Sequence, residues 1–209
     1  MRAVVYPHSR TKEIVMPLSP AVARQPIHHR SINCKGYQRE DGLWDIEAHL
    51  RDNKFVPFHT QTRGDLSPED AVHDMWIRIT VDDEYLIHDL EAVIDASPFV
   101  VCPEITSRFQ LLKGLRIGAG WNKMLKELLG DVKGCTHLVE LFGPLATTAF
   151  QTIYPQTRAK HQQELEAHPN KKPILIDSCH AFDSKGVVVK QYFPKFYTGK
   201  QLEEELLSS

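Results

Sequence analysis

The residues best able to do chemistry in this chain are its four cysteines and eleven histidines. They are unevenly spread. The densest group is Gly134-Cys135-Thr136-His137-Leu138-Val139-Glu140. Cys135 and His137 stand just before, or at, the opening of a predicted helix. There the positive end of the helix dipole and the free amides favour a thiolate, the form that ligates metals and attacks electrophiles. If the helix has begun by His137, Glu140 follows three residues on and shares its face. The plainer alternative makes Cys135 a small packed residue and His137 a hydrogen-bonded cap. Three further strings carry the same residue types. Val101-Cys102-Pro103-Glu104 puts a cysteine directly before a helix, Val72-His73-Asp74 stands at the entrance of a strand, and Ser178-Cys179-His180 follows a late apolar run.

Cysteine, histidine and carboxylate together are the zinc donor set, and cysteine-rich versions hold iron–sulfur clusters. No paired Cys-x-x-Cys occurs. A site would therefore be assembled from distant segments, with Asp74, Cys102, Cys135 and His137 meeting at one end of a sheet around zinc or an iron–sulfur cluster. Scattered packing cysteines are the structural alternative. The same pocket without metal would suit a small-molecule enzyme. Cys135 is then the nucleophile, His137 or His73 the base, and Asp74 the group that orients it. A non-catalytic module binding a protein partner or a small molecule is a third reading.

Other polar features carry less. Gly114-Leu115-Arg116-Ile117-Gly118-Ala119-Gly120 precedes a helix but lacks both the P-loop lysine-serine pair and the dinucleotide fingerprint, and reads as a tight connection. Asp45 and Glu47 read as the solvated side of a strand, and His28-His29-Arg30 as an exposed tract.

The elements that must position these groups follow from periodicity. Residues 34–38 and 43–50 flank Glu40-Asp41-Gly42, and Asp-Gly is a strong hairpin signal. Trp44, Ile46 and Ala48 alternate with Asp45, Glu47 and His49, as on a half-buried strand. Met75, Ile77, Ile79 and Val81 alternate in the same way, Asp82-Asp83-Glu84 turns the chain, and 86–94 returns. Between these hairpins, Gly64 and Pro68 mark a loop. After Pro98 the pattern becomes helical, with helices expected at 106–113, 121–129, 136–153 and 156–168. Pro144 implies a kink or a break in the third. Two late strands are expected at 174–176 and 187–189. Strands first and helices second give an α+β fold, an antiparallel sheet with helices packed on one face.

Composition sets the outer limits. With 42% hydrophobic and 25% charged residues the chain falls in the globular range. Lys+Arg 25 against Asp+Glu 27 removes the main electrostatic reason to expect nucleic acid. No apolar run approaches a membrane span, and no secretory signal is visible, so the expected setting is the cytoplasm with reduced thiols. The expected organisation is an irregular extension over 1–30, one α+β domain over 31–195 and a tail over 196–209. Met16 is a second candidate start, which would make 1–15 an extension.

Several strings are distinctive enough to carry a resemblance. Gly36-Tyr37 through Asp41-Gly42-Leu43-Trp44-Asp45-Ile46-Glu47, His73-Asp74-Met75-Trp76, Asp95-Ala96-Ser97-Pro98, and Gly134-Cys135-Thr136-His137-Leu138 on to Pro144-Leu145-Ala146-Thr147-Thr148-Ala149-Phe150 resemble a bacterial family classed as a domain of unknown function. The likeness spans roughly 17–194 and implies no activity. From Asp74 to Tyr154, the order of carboxylate, strands, cysteine, helices and cysteine beside histidine is more distantly similar to U-type iron–sulfur cluster scaffold proteins. That likeness implies Asp74, Cys102 and Cys135 or His137 as ligands, on a scaffold-like fold. It departs in two places: Val72-His73 stands where scaffolds carry a cysteine, and the cysteine-histidine order becomes Cys135-Thr136-His137.

Overall fold

The computed structural model describes residues 18–199; the expected start at Met16 and most of the expected tail lie outside the described residues. Strand β1 (His28–Gln38) turns through Arg39 to Leu43 into β2 (Trp44–Lys54). Gly42 takes the left-handed conformation there, φ 85°, that the Asp-Gly pair anticipates. Strands β5 (Ala71–Val81) and β6 (Ile87–Ala96) form the second hairpin. The four make one antiparallel sheet in the order β1-β2-β5-β6. The expected loop between the hairpins carries a small strand pair, β3 (Phe58–Thr60) and β4 (Gly64–Leu66).

One face of the sheet is covered. Trp44, Ile46, Ala48 and Leu50 of β2 and Met75, Ile77, Ile79 and Val81 of β5 are all buried, so the two-residue period places the core as expected. A 3₁₀ helix (Cys102–Leu112) contributes Phe109 and Leu112, and α1 (Trp121–Leu129) contributes Trp121, Leu125 and Leu129. Helix α2 (Thr136–Gln156) lies across β1, β2 and β5, burying Leu138, Leu141, Phe142, Leu145, Ala149 and Ile153 at helical spacing. It runs on through Pro144. Its close approach needs a glycine opposite, because a Cβ on Gly36 would sit 2.0 Å from the Thr152 hydroxyl.

The polar helix α3 (Arg158–Ala167) buries no residue. The late segments depart from expectation. Residues 174–176 form turns, and 187–189 begin the short helix α4 (Val187–Tyr192), with Val189 buried. A β-branched run becomes a strand only when another strand is there to pair with it, and neither segment has one. Among the described residues, no helix is long and apolar enough to cross a membrane.

Candidate functional site

The apolar rows of the covered face end in a charged rung. Two residues beyond Leu50 on β2 stands Asp52, only 1% exposed. Its cross-strand neighbours are Arg30 on β1 and His73 on β5, so these three side chains share the covered face in one line. The N-terminal end of α2 closes over them with His137 and Glu140, and Cys135 holds the N-cap position in extended conformation.

The bonding is dense. Arg30 donates from Nε to Asp52 Oδ1 and from Nη2 to Asp52 Oδ2, both at 2.8 Å, and from Nη1 to Glu140 at 2.6 Å. His73 Nδ1 lies 3.0 Å from Asp52 Oδ2, and His28 Nε2 lies 3.4 Å from Oδ1. The His73 and His137 rings are 3.9 Å apart, centre to centre, tilted by 30°. Cys135 Sγ lies 3.9 Å from His137 Nδ1.

Charge follows from this geometry. Burial works to raise the Asp52 carboxyl, but the Arg30 fork and His73 outweigh it and hold it below the usual range. Burial lowers His73, and the neighbouring His137 lowers it further, against the pull of Asp52. Burial and then Arg30 lower His137. Both imidazoles are thus held neutral near pH 7, as metal ligation and base catalysis each require.

The sequence-derived residues are distributed as follows. His137 is in the cluster and Cys135 stands beside it. Asp74 is on the opposite face, where it accepts from His49 Nε2 at 2.6 Å and Arg51 Nη1 at 2.5 Å. Cys102 opens the 3₁₀ helix, half-buried, and is not among the converging donors. Thus the set implied by the scaffold likeness is not the set the fold brings together. Asp52, His73 and His137 are, with one donor atom from each within 4.8 Å of the others. His28 and Arg30, read from sequence as an exposed tract, are strand residues facing Asp52. The side-chain period carried two residues past Leu50 points to Asp52, and Met75 and Ile77 put His73 on the same face.

Two chemistries suit this arrangement. With His73 protonated at Nδ1, the ring donates to Asp52 and leaves Nε2 as an oriented base. With the proton on Nε2, His73 Nδ1 and an Asp52 oxygen are 3.0 Å apart, close to the spacing of two ligands on one ion. Bonds of about 2.0–2.3 Å in a tetrahedron put neighbouring ligand atoms roughly 3.3–3.8 Å apart.

No curated protein matches this chain, and no solved structure does. A family model described as protein of unknown function (DUF2889) matches residues 28–151, a stretch that holds the whole four-stranded sheet and every residue of the cluster. The match covers more than half of the chain, which therefore belongs to the DUF2889 family.

Proposed function

We propose that this protein binds a divalent metal ion of the zinc class through Asp52, His73 and His137, with the Cys135 thiol, 3.9 Å from His137 Nδ1, rotating in as fourth donor. The reading rests on one observation: a buried carboxylate and two half-buried imidazoles from three separate elements offer donor atoms within 4.8 Å of one another. Two supports come from spacing. The Asp52–His73 pair at 3.0 Å and the Cys135–His137 pair at 3.9 Å already bracket tetrahedral ligand spacing. Charge agrees. With neutral histidines, Arg30, Asp52 and Glu140 sum to one negative charge, and a bound Cys135 thiolate would make two, balancing a divalent ion. With a single cysteine beside the cluster, the donors suit zinc better than an iron–sulfur cluster, which is held by several thiolates.

A second reading draws on the Cys135 Sγ–His137 Nδ1 distance of 3.9 Å, which suits a thiol and its base in a metal-free enzyme. One experiment separates them. The untagged protein is stripped with chelator, titrated with Zn2+ and followed by calorimetry and elemental analysis. The metal reading expects one equivalent bound, lost in His137→Ala and retained in Asp74→Asn and Cys102→Ser. Failure of the wild-type protein to take up zinc overturns it. Suppression of Cys135 alkylation by His137→Ala, with no metal bound in either protein, would favour the enzyme.

A further inference from the structure

We infer that Arg30 is the built-in competitor of the metal, and that filling the site exchanges its guanidinium from Asp52 to Glu140. The inference rests on the metal-binding reading above. Two observations carry it. First, both Asp52 oxygens are occupied: Oδ1 by Arg30 Nε with His28 beside it, Oδ2 by Arg30 Nη2 and His73 Nδ1. His73 stops donating once its Nδ1 ligates, so the Arg30 guanidinium is the charged donor left facing a cation at this carboxylate, and the two positive charges repel. Second, Arg30 alone among these donors already holds another carboxylate, Glu140, at 2.6 Å. His73 is itself a ligand and would stay. The side-chain exposures point the same way: 2% for Asp52, 30% for Arg30 and 48% for Glu140. The guanidinium therefore has a path outward to a partner at the surface, whereas Asp52 has none. The Arg30–Glu140 pair also ties β1 to the start of α2. Filling the site would thus tighten one ion pair between these elements while releasing another.

A double-mutant cycle tests this, using the full chain and zinc alone as probe. Arg30→Met is expected to bind zinc about tenfold more tightly, because a metal then displaces no charge-assisted fork. Glu140→Gln is expected to weaken binding by roughly threefold to tenfold in the wild-type background. In the Arg30→Met background it should change nothing, because no guanidinium remains to be received. That conditional effect separates exchange from a general field. If Glu140 merely attracted cations, the loss would be equal in both backgrounds, and that result would overturn the inference. So would unchanged or weaker binding in Arg30→Met. Should Arg30→Met not fold, Arg30→Lys keeps a cation beside Asp52 without the planar fork, and an intermediate tightening is expected. Equal zinc affinity in all variants refutes the exchange and leaves the metal reading intact. No zinc binding in any variant refutes both.

Discussion

Asp52→Asn offers the most direct measure of what the charged rung contributes. The replacement keeps the shape and removes the charge, so in either orientation its amide group faces an Arg30 donor, donor against donor. The carboxylate accepts two Arg30 hydrogen bonds at 2.8 Å and lies within 3.0 Å of His73, with a side chain 2% exposed. Hydrogen bonds to charged groups contribute about 1.5–3 kcal/mol each, and breaking a buried pair costs about 3–5 kcal/mol. Here the guanidinium is 30% exposed and keeps Glu140, so part of its hydration and one partner survive. A loss of about 2–3 kcal/mol follows. For a chain of this size that lowers Tm by roughly 4–12 °C.

The assay is urea unfolding of wild type and variant in chelator, so that no bound metal adds to the difference. Its pH dependence supplies a second check. Because the folded Asp52 carboxyl titrates below its unfolded value, its contribution is complete above about pH 3.9 and is lost as pH falls through the folded pKa. The gap between the two proteins should thus be constant from neutral pH to about pH 5 and close in more acidic buffer. A difference below about 0.5 kcal/mol at pH 7, or a gap that persists unchanged in strong acid, would refute the account of Asp52 as a paired, buried carboxylate.

Two more predictions test the surroundings of the rung. Burial lowers His137, so the unfolded chain binds its proton more readily, and stability should fall as pH drops below about 6.5; His137→Gln should flatten that slope, measured by unfolding in chelator between pH 7 and 5, and an unaltered slope would count against a buried neutral ring. Gly36→Ala should destabilise by about 1–3 kcal/mol, because the new methyl meets the Thr152 hydroxyl at 2.0 Å and must push α2 off β1; thermal unfolding at the wild-type midpoint would show that the helix has room to shift.

The sheet was legible because its signal is local. Trp44 to Leu50 and Met75 to Val81 each carry the two-residue period within one segment, and the Asp41-Gly42 turn joins the first pair without reference to anything distant. Helix α2 was legible for the same reason, since Leu138, Leu141, Leu145 and Ala149 keep helical spacing across Pro144. The segment 187–189 has the composition of a strand yet folds as a helix, because β-branched residues favour a strand only where another strand awaits them. Its fate depends on the rest of the fold.

The site divides along the same line. Cys135 and His137 announce themselves by sitting together at a helix start, but Asp52 and Arg30 look like ordinary surface charge until register is counted. Given a hairpin in which Gln38 faces Trp44, each step back along β1 matches one step forward along β2, and Arg30 must face Asp52. That much was available from sequence, two residues beyond the point where the apolar alternation stops. His73 required more, because its place opposite Asp52 depends on how β5 pairs with β2 across an intervening segment. Neighbours on a strand face opposite sides, so Asp74, with the more conspicuous charge, belongs to the open face and His73 to the covered one. An apolar row that ends in a buried carboxylate obliges the adjoining strands and helix to supply its partners. In this fold they supply one arginine and a set of imidazoles. Arg30 pairs both oxygens of Asp52, so the imidazoles beside it need carry no charge of their own, and a neutral imidazole there keeps a nitrogen lone pair to offer.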